Sequence, residues 1–390
     1  MISDSHNLER LCQRIARSPF VAVDTEADSL HAYPEKLCLI QIAVDSGEEL
    51  VDPLSPLNLS PLWEILKDRT PIFHGGDYDL RLLHRTAGFI PKAIWDTMIA
   101  ARLLGRPEFG LVSLADQILG VRLEKSSRKA NWALRPLTER MVEYALNDVR
   151  HLRALSERLQ SELEAKGRSA WLEESCQRLI SACTSPSEEN PDEVWRVKGC
   201  HRLSRRGMSV LRSVWRWREH QAVTTNRPPF FILGHEQMVA VAAIATQPGF
   251  SPDKAPLPHR WSSLKRSGCL AAIQEGLRCP EEHWPDYPQR VATRWTDAER
   301  SRFEKIQALR DQAAHNAGLD PTLIASRATL VQLAGDWQAA SQSLMRWQLE
   351  LLRPAMLPPQ EINGPRHRKR NPSSIPSPEP TAVSDGHPAA

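Results

Sequence analysis

Residues 20–44 read FVAVDTEADSLHAYPEKLCLIQIAV and contain two apolar runs that indicate neighbouring β-strands. Val21 and Val23 are the β-branched residues typical of a packed strand. Asp24 and Glu26 follow at alternate positions, so their carboxylates share one face of the strand, about 7 Å apart. Such like charges repel each other. A lone Asp-x-Glu is most often a polar strand end or a turn, so a functional role needs support from other segments.

The segments around this stretch predict an α/β fold. The runs FVAVDTE, LCLIQIAV and ELVDP predict a meander of three strands, and PIFHG predicts a fourth. Helical patterns follow, including TMIAARLLG, SLADQILG and one long helix over residues 137–167. Strands followed by helices with a further strand or two indicate a sheet flanked by helices.

Beyond residue 193 the sequence predicts helices only. Asp320 and Ser326 are expected to be N-caps of two successive helices, with Pro321 just inside the first. We predict an α/β domain over 1–168, a helix end and linker over 169–193, a helical domain over 194–280, a linker over 281–295, a second helical domain over 296–357 and a disordered tail over 358–390.

Composition and size predict a cytoplasmic protein of two or three domains. The chain has 390 residues, of which 41% are hydrophobic and 25% charged. No apolar run approaches the roughly 20 residues of a membrane span, and the N-terminus lacks the apolar core of a secretory signal. The seven scattered cysteines without a CxxC indicate reduced thiols rather than disulfides or a zinc site. No obligate protein partner is evident.

A second acidic segment is YALNDVRHL, in which Tyr144 and Asp148 are four residues apart. On a helix they project from the same side, about 6 Å from each other. A solvated helix face is the alternative. We expect Val142, Leu146 and Val149 to face the core.

A third segment, FHGGDYDLRLLHR, predicts a tight turn at two glycines and a helix that starts near Asp79. Either Asp77 or Asp79 could cap this helix, and we assign the cap to Asp77 and the functional role to Asp79. The four carboxylates of Asp24, Glu26, Asp79 and Asp148 can converge only if cations neutralise them. Oxygen ligands favour Mg²⁺ or Mn²⁺, and two such ions about 4 Å apart suit an in-line phosphoryl displacement.

These three segments resemble, in order and spacing, the exonuclease motifs of the ribonuclease D family of 3′–5′ exonucleases. The resemblance implies a ribonuclease H-like mixed sheet, with Asp24 bridging two metal ions and with Glu26 and Asp148 completing the ion on the nucleophile side. It further implies that Asp79 holds the ion on the leaving-group side and that Tyr144 orients the attacking hydroxide.

Two positions depart from the family pattern: His74 stands where Asn is common, and Asn131 where many members have Asp. Neither change removes a metal ligand, although substrate positioning could differ. Residues 203–278 and the block around 306–334 resemble the helicase-and-ribonuclease-D C-terminal domain, which implies one or two small all-α domains after the exonuclease domain.

Basic residues suggest where a nucleic acid binds. Residues 196–218 contain eight cations and no acid, with Trp195, Trp215 and Trp217 between them, which is either a solvated face or a phosphate-tracking surface with base stacking. The tail run RHRKR would add only nonspecific affinity. The candidate contacts are Lys125, Arg128, Lys129, Arg202, Arg205, Arg206, Arg212 and Arg216.

Together these features predict a metal-dependent exoribonuclease. It would trim single-stranded RNA 3′ ends, tRNA precursors being the substrate that the family suggests, and release nucleoside 5′-monophosphates. A 3′–5′ DNA exonuclease and a non-catalytic RNA-binding protein are the alternatives.

Overall fold

The structure is a computed structural model, and it describes residues 1–124, 127, 129–185, 193–287 and 295–353. The predicted tail over 358–390 lies outside the described residues, as does most of the polar stretch between 183 and 193. Within the described residues, no helix combines the length and the apolar character that crossing a bilayer requires.

Among the described residues five strands form one mixed sheet: β1 Ala22–Ala27, β2 Leu37–Val44, β3 Gly47–Val51, β4 Ile72–Phe73 and β5 Trp95–Asp96. Their order across the sheet is β3-β2-β1-β4-β5. The β1–β2 and β2–β3 pairs are antiparallel, whereas β4 is parallel to both β1 and β5. The predicted meander and the predicted fourth strand are confirmed.

Helices cover both faces of this sheet. In the first half of the chain they are α1 Ser5–Arg17, α2 Ser60–Lys67, α3 Asp77–Ala87, α4 Thr97–Leu103, α5 Leu111–Leu114, α6 Glu139–Arg150, α7 Leu152–Ala165 and α8 Ser169–Thr184. A π-helical turn, Ala115–Leu119, follows α5 directly.

Alternation along the strands separates the two faces of the sheet. Val21, Val23 and Ile42 belong to the core shared with α1, α2 and α3. On the opposite face, Leu39 packs with the α6 residues Met141 and Ala145. The strand that carries the acids is thus buried between two helical layers.

The long helix predicted over 137–167 is wrong, because the structure has two helices, α6 and α7, that separate at His151. This residue has φ −101° and ψ −3°, away from regular helical geometry. The break lets α6 pack on β2 and β3 while α7 packs on α4. The segment that carries Tyr144 and Asp148 is therefore on a short helix oriented by the sheet.

The second half of the chain is helical, as predicted. Its helices are α9 Arg205–Thr225, α10 Pro229–Ile232, α11 His235–Ala245, α12 Ser263–Arg278, α13 Asp297–Ala317, α14 Pro321–Ile324, α15 Arg327–Gly335, α16 Trp337–Ser341 and α17 Arg346–Leu352. Single turns of 3₁₀-helix lie at Cys200–Arg202, Pro252–Lys254 and Glu281–His283. The predicted N-caps are confirmed, since Asp320 accepts from the Thr322 N–H and Ser326 from the Thr329 N–H.

These helices form two groups with different cores. Helices α9, α11 and α12 enclose an apolar cluster of their own. In contrast, Phe303 and Ile306 of α13 and Leu330 of α15 belong to the same cluster as the core of the α/β part. The last helices therefore complete the core of the first half of the chain. The domain boundaries given above remain a prediction.

Candidate active site

The acidic end of β1 extends beyond its neighbour β4. The two strands pair through Ala22 and Ile72, whereas β1 continues to Ala27. Asp24 and Glu26 are therefore paired with β2 on one side, and on the other side they lie beyond the end of β4. This step in the sheet leaves room for side chains of other elements.

Helix α6 brings its functional side chains to this step. Its fully buried residues are Met141, Ala145 and Val149, four residues apart, which face the sheet. As expected, Val149 is buried in the core, and Val142 and Leu146 are partly buried and pack against the apolar cluster that contains Met141 and Ala145. Tyr144 and Asp148 each precede a buried residue, so they lie along the edge of the buried stripe rather than on the solvent face.

Three of the four candidate carboxylates lie close together. One oxygen each from Asp24, Glu26 and Asp148 lies within 4.8 Å of the other two. Burial raises the pKa of Asp24 well above its ordinary value, and the negative charges of Asp79, Asp148 and Glu26, in that order, raise it further. A cation between these groups would remove this repulsion. The all-oxygen donor set fits a hard divalent ion such as Mg²⁺ or Mn²⁺.

Asp79 reaches β1 from the other face of the sheet. The Thr25 hydroxyl donates to its Oδ1 at 2.5 Å, and Thr25 alternates with the two acids on the strand. Burial raises the pKa of Asp79 to about 6, with a smaller contribution from the charge of Asp96. Asp79 thus contacts the same strand and interacts electrostatically with Asp24, but it is not one of the three clustered carboxylates.

The turn before α3 is built differently from our expectation. Gly76, not Asp77, is the N-cap residue, and Asp77 instead forms a salt bridge with Arg81 at 3.0 Å. Gly75 has φ +66°, the left-handed conformation that glycine adopts without strain. The cap prediction is wrong because the backbone needs these glycines to reverse direction between β4 and α3.

Asp96 holds this turn in place, a role that sequence reasoning missed. It is fully buried, its Oδ2 accepts from the Gly76 N–H at 2.8 Å, and its Oδ1 accepts from the N–H groups of Met98 and Ile99. Asp96 therefore caps α4 and fixes the start of the helix that carries Asp79. The stretch WDTM, an Asp before a helical run, was the available signal.

Asp24, Glu26 and Asp148 line a cleft of about 370 Å³, whose walls also include Tyr144, His74 and Asn147. The Tyr144 ring packs against the buried Trp132, with ring centroids 6.0 Å apart. His74 Nδ1 lies 2.7 Å from the Thr97 hydroxyl, and burial lowers the pKa of His74 to about 4. His74 is therefore a neutral, polar wall of the cleft at neutral pH.

The predicted nucleic-acid contacts are dispersed in the structure. Lys125 and Arg128 lie outside the described residues, and Lys129 is exposed close to the cleft-lining Leu123 and Glu124 in sequence. Arg202, Arg206 and Arg216 are exposed.

Two of the predicted nucleic-acid contacts instead form hydrogen bonds within the protein. Arg205 donates to the Trp284 carbonyl at 3.2 Å, and Arg212 donates to the His283 carbonyl at 3.0 Å. Base stacking on Trp195 is ruled out because this side chain is 1% exposed and sits in the core of the helical domain. These side chains were indistinguishable from surface groups in the sequence.

A basic surface that the sequence did not reveal is formed by Arg227, Arg260 and Lys265, here named the Arg227 surface. Lys265 Nζ lies 4.6 Å from the ring centroid of Trp261. Burial lowers the pKa of Lys265, and the charges of Arg227 and Arg260 lower it further. None of the three cations forms a salt bridge with another described residue. Arg227 is distant in sequence from Arg260 and Lys265, so no single local run contains all three.

The Arg227 surface adjoins the α/β part of the chain. The Tyr33 hydroxyl donates to Glu219 at 2.6 Å, and the Tyr33 N–H donates to Asn226 Oδ1 at 3.1 Å. Tyr33 lies on the loop that follows β1, and Asn226 immediately precedes Arg227. The end of α9 is thereby attached to the loop next to the acidic strand.

Comparisons with known proteins agree with this geometry. A family of 3′–5′ exonuclease domains matches residues 1–164. A ribonuclease D of Sphingobium indicum is 36% identical over 251 residues, 62% of this chain and 63% of the relative, which is less than two thirds of its length. A ribonuclease D of Granulibacter bethesdensis is 30% identical over 359 residues, 90% of each chain.

Solved structures show the same fold. The crystal structure of Escherichia coli RNase D, described as an exoribonuclease involved in structured RNA processing, has a TM-score of 0.72 and 28% identity, and it covers 91% of this chain and 96% of that one. A protein from Bifidobacterium adolescentis shares the fold with a TM-score of 0.77 at 22% identity. The chain belongs to the ribonuclease D family, with the 3′–5′ exonuclease domain in its first 164 residues.

Proposed function

We propose that this protein is a metal-dependent 3′–5′ exoribonuclease that removes nucleotides from RNA 3′ ends as nucleoside 5′-monophosphates. The observation that carries the proposal is the meeting of Asp24, Glu26 and Asp148 within 4.8 Å in a cleft that also holds Tyr144. Relatives named ribonuclease D and the similar fold of the E. coli exoribonuclease support RNA as the substrate.

Asp24, Glu26 and Asp148 would hold one divalent ion, and Asp24 together with Asp79 would hold a second. Bound Mg²⁺ or Mn²⁺ would stabilise the charge that develops on the phosphate and activate the attacking water. The position of Asp79 supports a second ion, because it approaches β1 from the face opposite to Asp148 and interacts electrostatically with Asp24.

Tyr144 orients the attacking water in this proposal. Its phenol hydroxyl can donate and accept hydrogen bonds, and its ring is supported by Trp132 at the side of the cleft. Loss of the hydroxyl in Tyr144→Phe should therefore slow cleavage less than loss of a carboxylate. His74 is neutral at pH 7, so it can contact a nucleotide without adding charge to the cleft.

Cations outside the cleft would hold the RNA through its phosphates, which requires no particular sequence. Lys125, Arg128 and Lys129 would guide the 3′ end, and the exposed Arg202, Arg206 and Arg216 would contact the body of the RNA. Arg205 and Arg212 would contribute only their remaining N–H groups, because each already donates to a backbone carbonyl. The Arg227 surface is a further contact, next to the loop that follows β1. A tRNA precursor, with its single-stranded 3′ end and folded body, is the substrate that we propose.

The test is incubation of the purified protein with 5′-labelled single-stranded RNA and with DNA of the same sequence, in Mg²⁺ or in EDTA. We expect a Mg²⁺-dependent ladder of shortened products on RNA. Degradation of DNA in preference to RNA would support a DNA exonuclease, and binding of RNA without degradation would support a non-catalytic protein. Asp24→Ala is the matched control, since it should abolish cleavage and retain RNA binding.

A further inference from the structure

Gln41 lies in the middle of β2 with 0% of its surface exposed. Neither its Nε2 nor its Oε1 has a hydrogen-bond partner among the described residues. Buried side-chain amides in folded proteins are nearly always paired, and an unpaired one destabilises the folded chain. The amide therefore needs an explanation.

The register of the sheet places this amide beside the acidic cluster. Gln41 is directly opposite Asp24 in the antiparallel pairing of β1 and β2. Residues opposite each other on one face have Cβ atoms about 4.5–5.5 Å apart, so the Gln41 amide and the Asp24 carboxylate are within side-chain reach of each other. Leu39, two positions along the strand, packs under Met141 of α6, which shows that Gln41 also faces that helix.

The other surroundings of Gln41 are apolar. Its opposite residue on β3 is Leu50, and Leu39 and Ala43 flank it on its own face of β2. An apolar side chain of the same length would fill this space without an unpaired amide. Among the described residues, the polar groups near this face are the acidic cluster and the Glu48–Arg150 pair, and the latter two already bond to each other at 3.2 Å. The acidic cluster is therefore the direction that we assign to the amide.

We propose that Gln41 is a positioning residue for the metal site, whose Nε2–H donates to the Asp24 carboxylate when the site is loaded. A neutral N–H donor fixes the orientation of the carboxylate without adding charge to the cluster, in which bound cations neutralise the carboxylates. Such outer hydrogen bonds orient metal ligands and are commonly required for full metal affinity. The inference rests on the proposed function, since it assigns a partner to a ligand of that same site.

The test compares Gln41→Met with the matched control Leu39→Met, which changes the neighbouring residue on the same face of β2. Metal affinity is measured by titration calorimetry with Mn²⁺ and no RNA, and stability by thermal unfolding in EDTA. We expect Gln41→Met to weaken Mn²⁺ binding about 10- to 100-fold. Its unfolding temperature in EDTA should stay unchanged or rise, because the unpaired amide is gone. Leu39→Met should leave Mn²⁺ binding unchanged, and Gln41→Leu repeats the test with a branched side chain.

If both Gln41 variants bind Mn²⁺ as tightly as the wild-type protein does, the inference is overturned. The proposed function still holds in that case if the wild-type protein degrades RNA. A fall in unfolding temperature that accompanies the loss of affinity would also overturn it, because the amide would then be structural. If the wild-type protein neither binds Mn²⁺ nor degrades RNA, the proposed function fails and this inference fails with it.

Discussion

At the scale of single residues, the site depends on carboxylates that the fold forces together. Asp24 and Asp79 have raised pKa values because they are buried, and neighbouring acids add to the effect. In the absence of cations this arrangement opposes folding at neutral pH. Hydrogen bonds such as the one that the Thr25 hydroxyl donates to Asp79 offset part of this cost of burying the carboxylates.

Asp77 and Asp79 provide a matched pair for testing the assignment. Asp79→Asn should reduce RNA cleavage about 10³-fold, because a lost metal ligand removes several kcal/mol of transition-state stabilisation. Asp77→Asn should leave cleavage nearly unchanged, since it removes only an exposed pair with Arg81. The measurement is kcat/KM on a single-stranded RNA. Equal loss in both variants would contradict the assignment of the functional role to Asp79.

In the metal-free protein, buried Asp79 should contribute a loss of stability as pH rises. The folded pKa of Asp79 is about 6 against an ordinary value of 3.8, so the folded state binds more protons than the unfolded state between these values. Asp79 therefore lowers the free energy of unfolding as pH increases across that window, whereas His74, whose pKa burial lowers to about 4, acts in the opposite direction. The Asp79 contribution is the difference in the free energy of unfolding between the wild-type protein and Asp79→Asn. Urea unfolding in EDTA measures it.

Mg²⁺ should reduce this fall, and Asp79→Asn should remove the part of it that belongs to Asp79. If the stability difference between the wild-type protein and Asp79→Asn in EDTA does not fall with pH over this window, the buried state of this carboxylate is contradicted.

At the scale of elements, helix α9 carries two different kinds of cation. Arg212 stabilises the segment after α12 through the His283 carbonyl, while Arg206 and Arg216 remain exposed. The end of the helix is attached to the loop after β1 through Tyr33. This attachment places the Arg227 surface next to the loop that follows β1.

Removal of the Arg227 surface should weaken RNA binding. The triple variant Arg227→Ala, Arg260→Ala, Lys265→Ala should lower affinity for all RNA sequences alike and reduce the salt slope of binding by about 1 per lost phosphate contact. A variant with the same loss of charge at the exposed Arg10, Arg17 and Lys305 serves as control. Binding by catalytically inactive Asp24→Ala protein at several salt concentrations measures the effect. Equal salt slopes for the two triple variants would exclude this surface as an RNA contact.

At the scale of the whole molecule, the last helices pack directly on the α/β part. Arg168 donates to the carbonyls of Leu103 and Ala317 and thereby links the end of α4 to the end of α13. Gly105 lies at the same junction with φ +80°, and a Cβ there would lie 1.9 Å from the Gly318 carbonyl oxygen. The two backbones approach so closely that only glycine fits.

Gly105→Ala should therefore destabilise the protein well beyond the strain of the left-handed backbone, which is about 1–2 kcal/mol for a non-glycine residue. Gly88→Ala is the control, because Gly88 has φ +64° but no atom within 4 Å of the added Cβ. Urea unfolding of both variants gives the comparison. Equal decreases in the free energy of unfolding of the two variants would mean that the backbone at the junction with α13 shifts to accommodate the added Cβ without loss of stability.

The residues of the candidate site could be predicted from the sequence alone, because their arrangement depends on local periodicity. Alternation on β1 places Asp24 and Glu26 on one face, and four-residue spacing on α6 places Tyr144 and Asp148 on one side. Other features were decided only by the tertiary structure. The helix breaks between α6 and α7, and Asp96 anchors the turn before α3. Some arginines bond to backbone carbonyls while others are exposed, and Gln41 lies opposite Asp24. Each of these arises from contacts between distant segments, whose free energy depends on burial and register that no local pattern encodes.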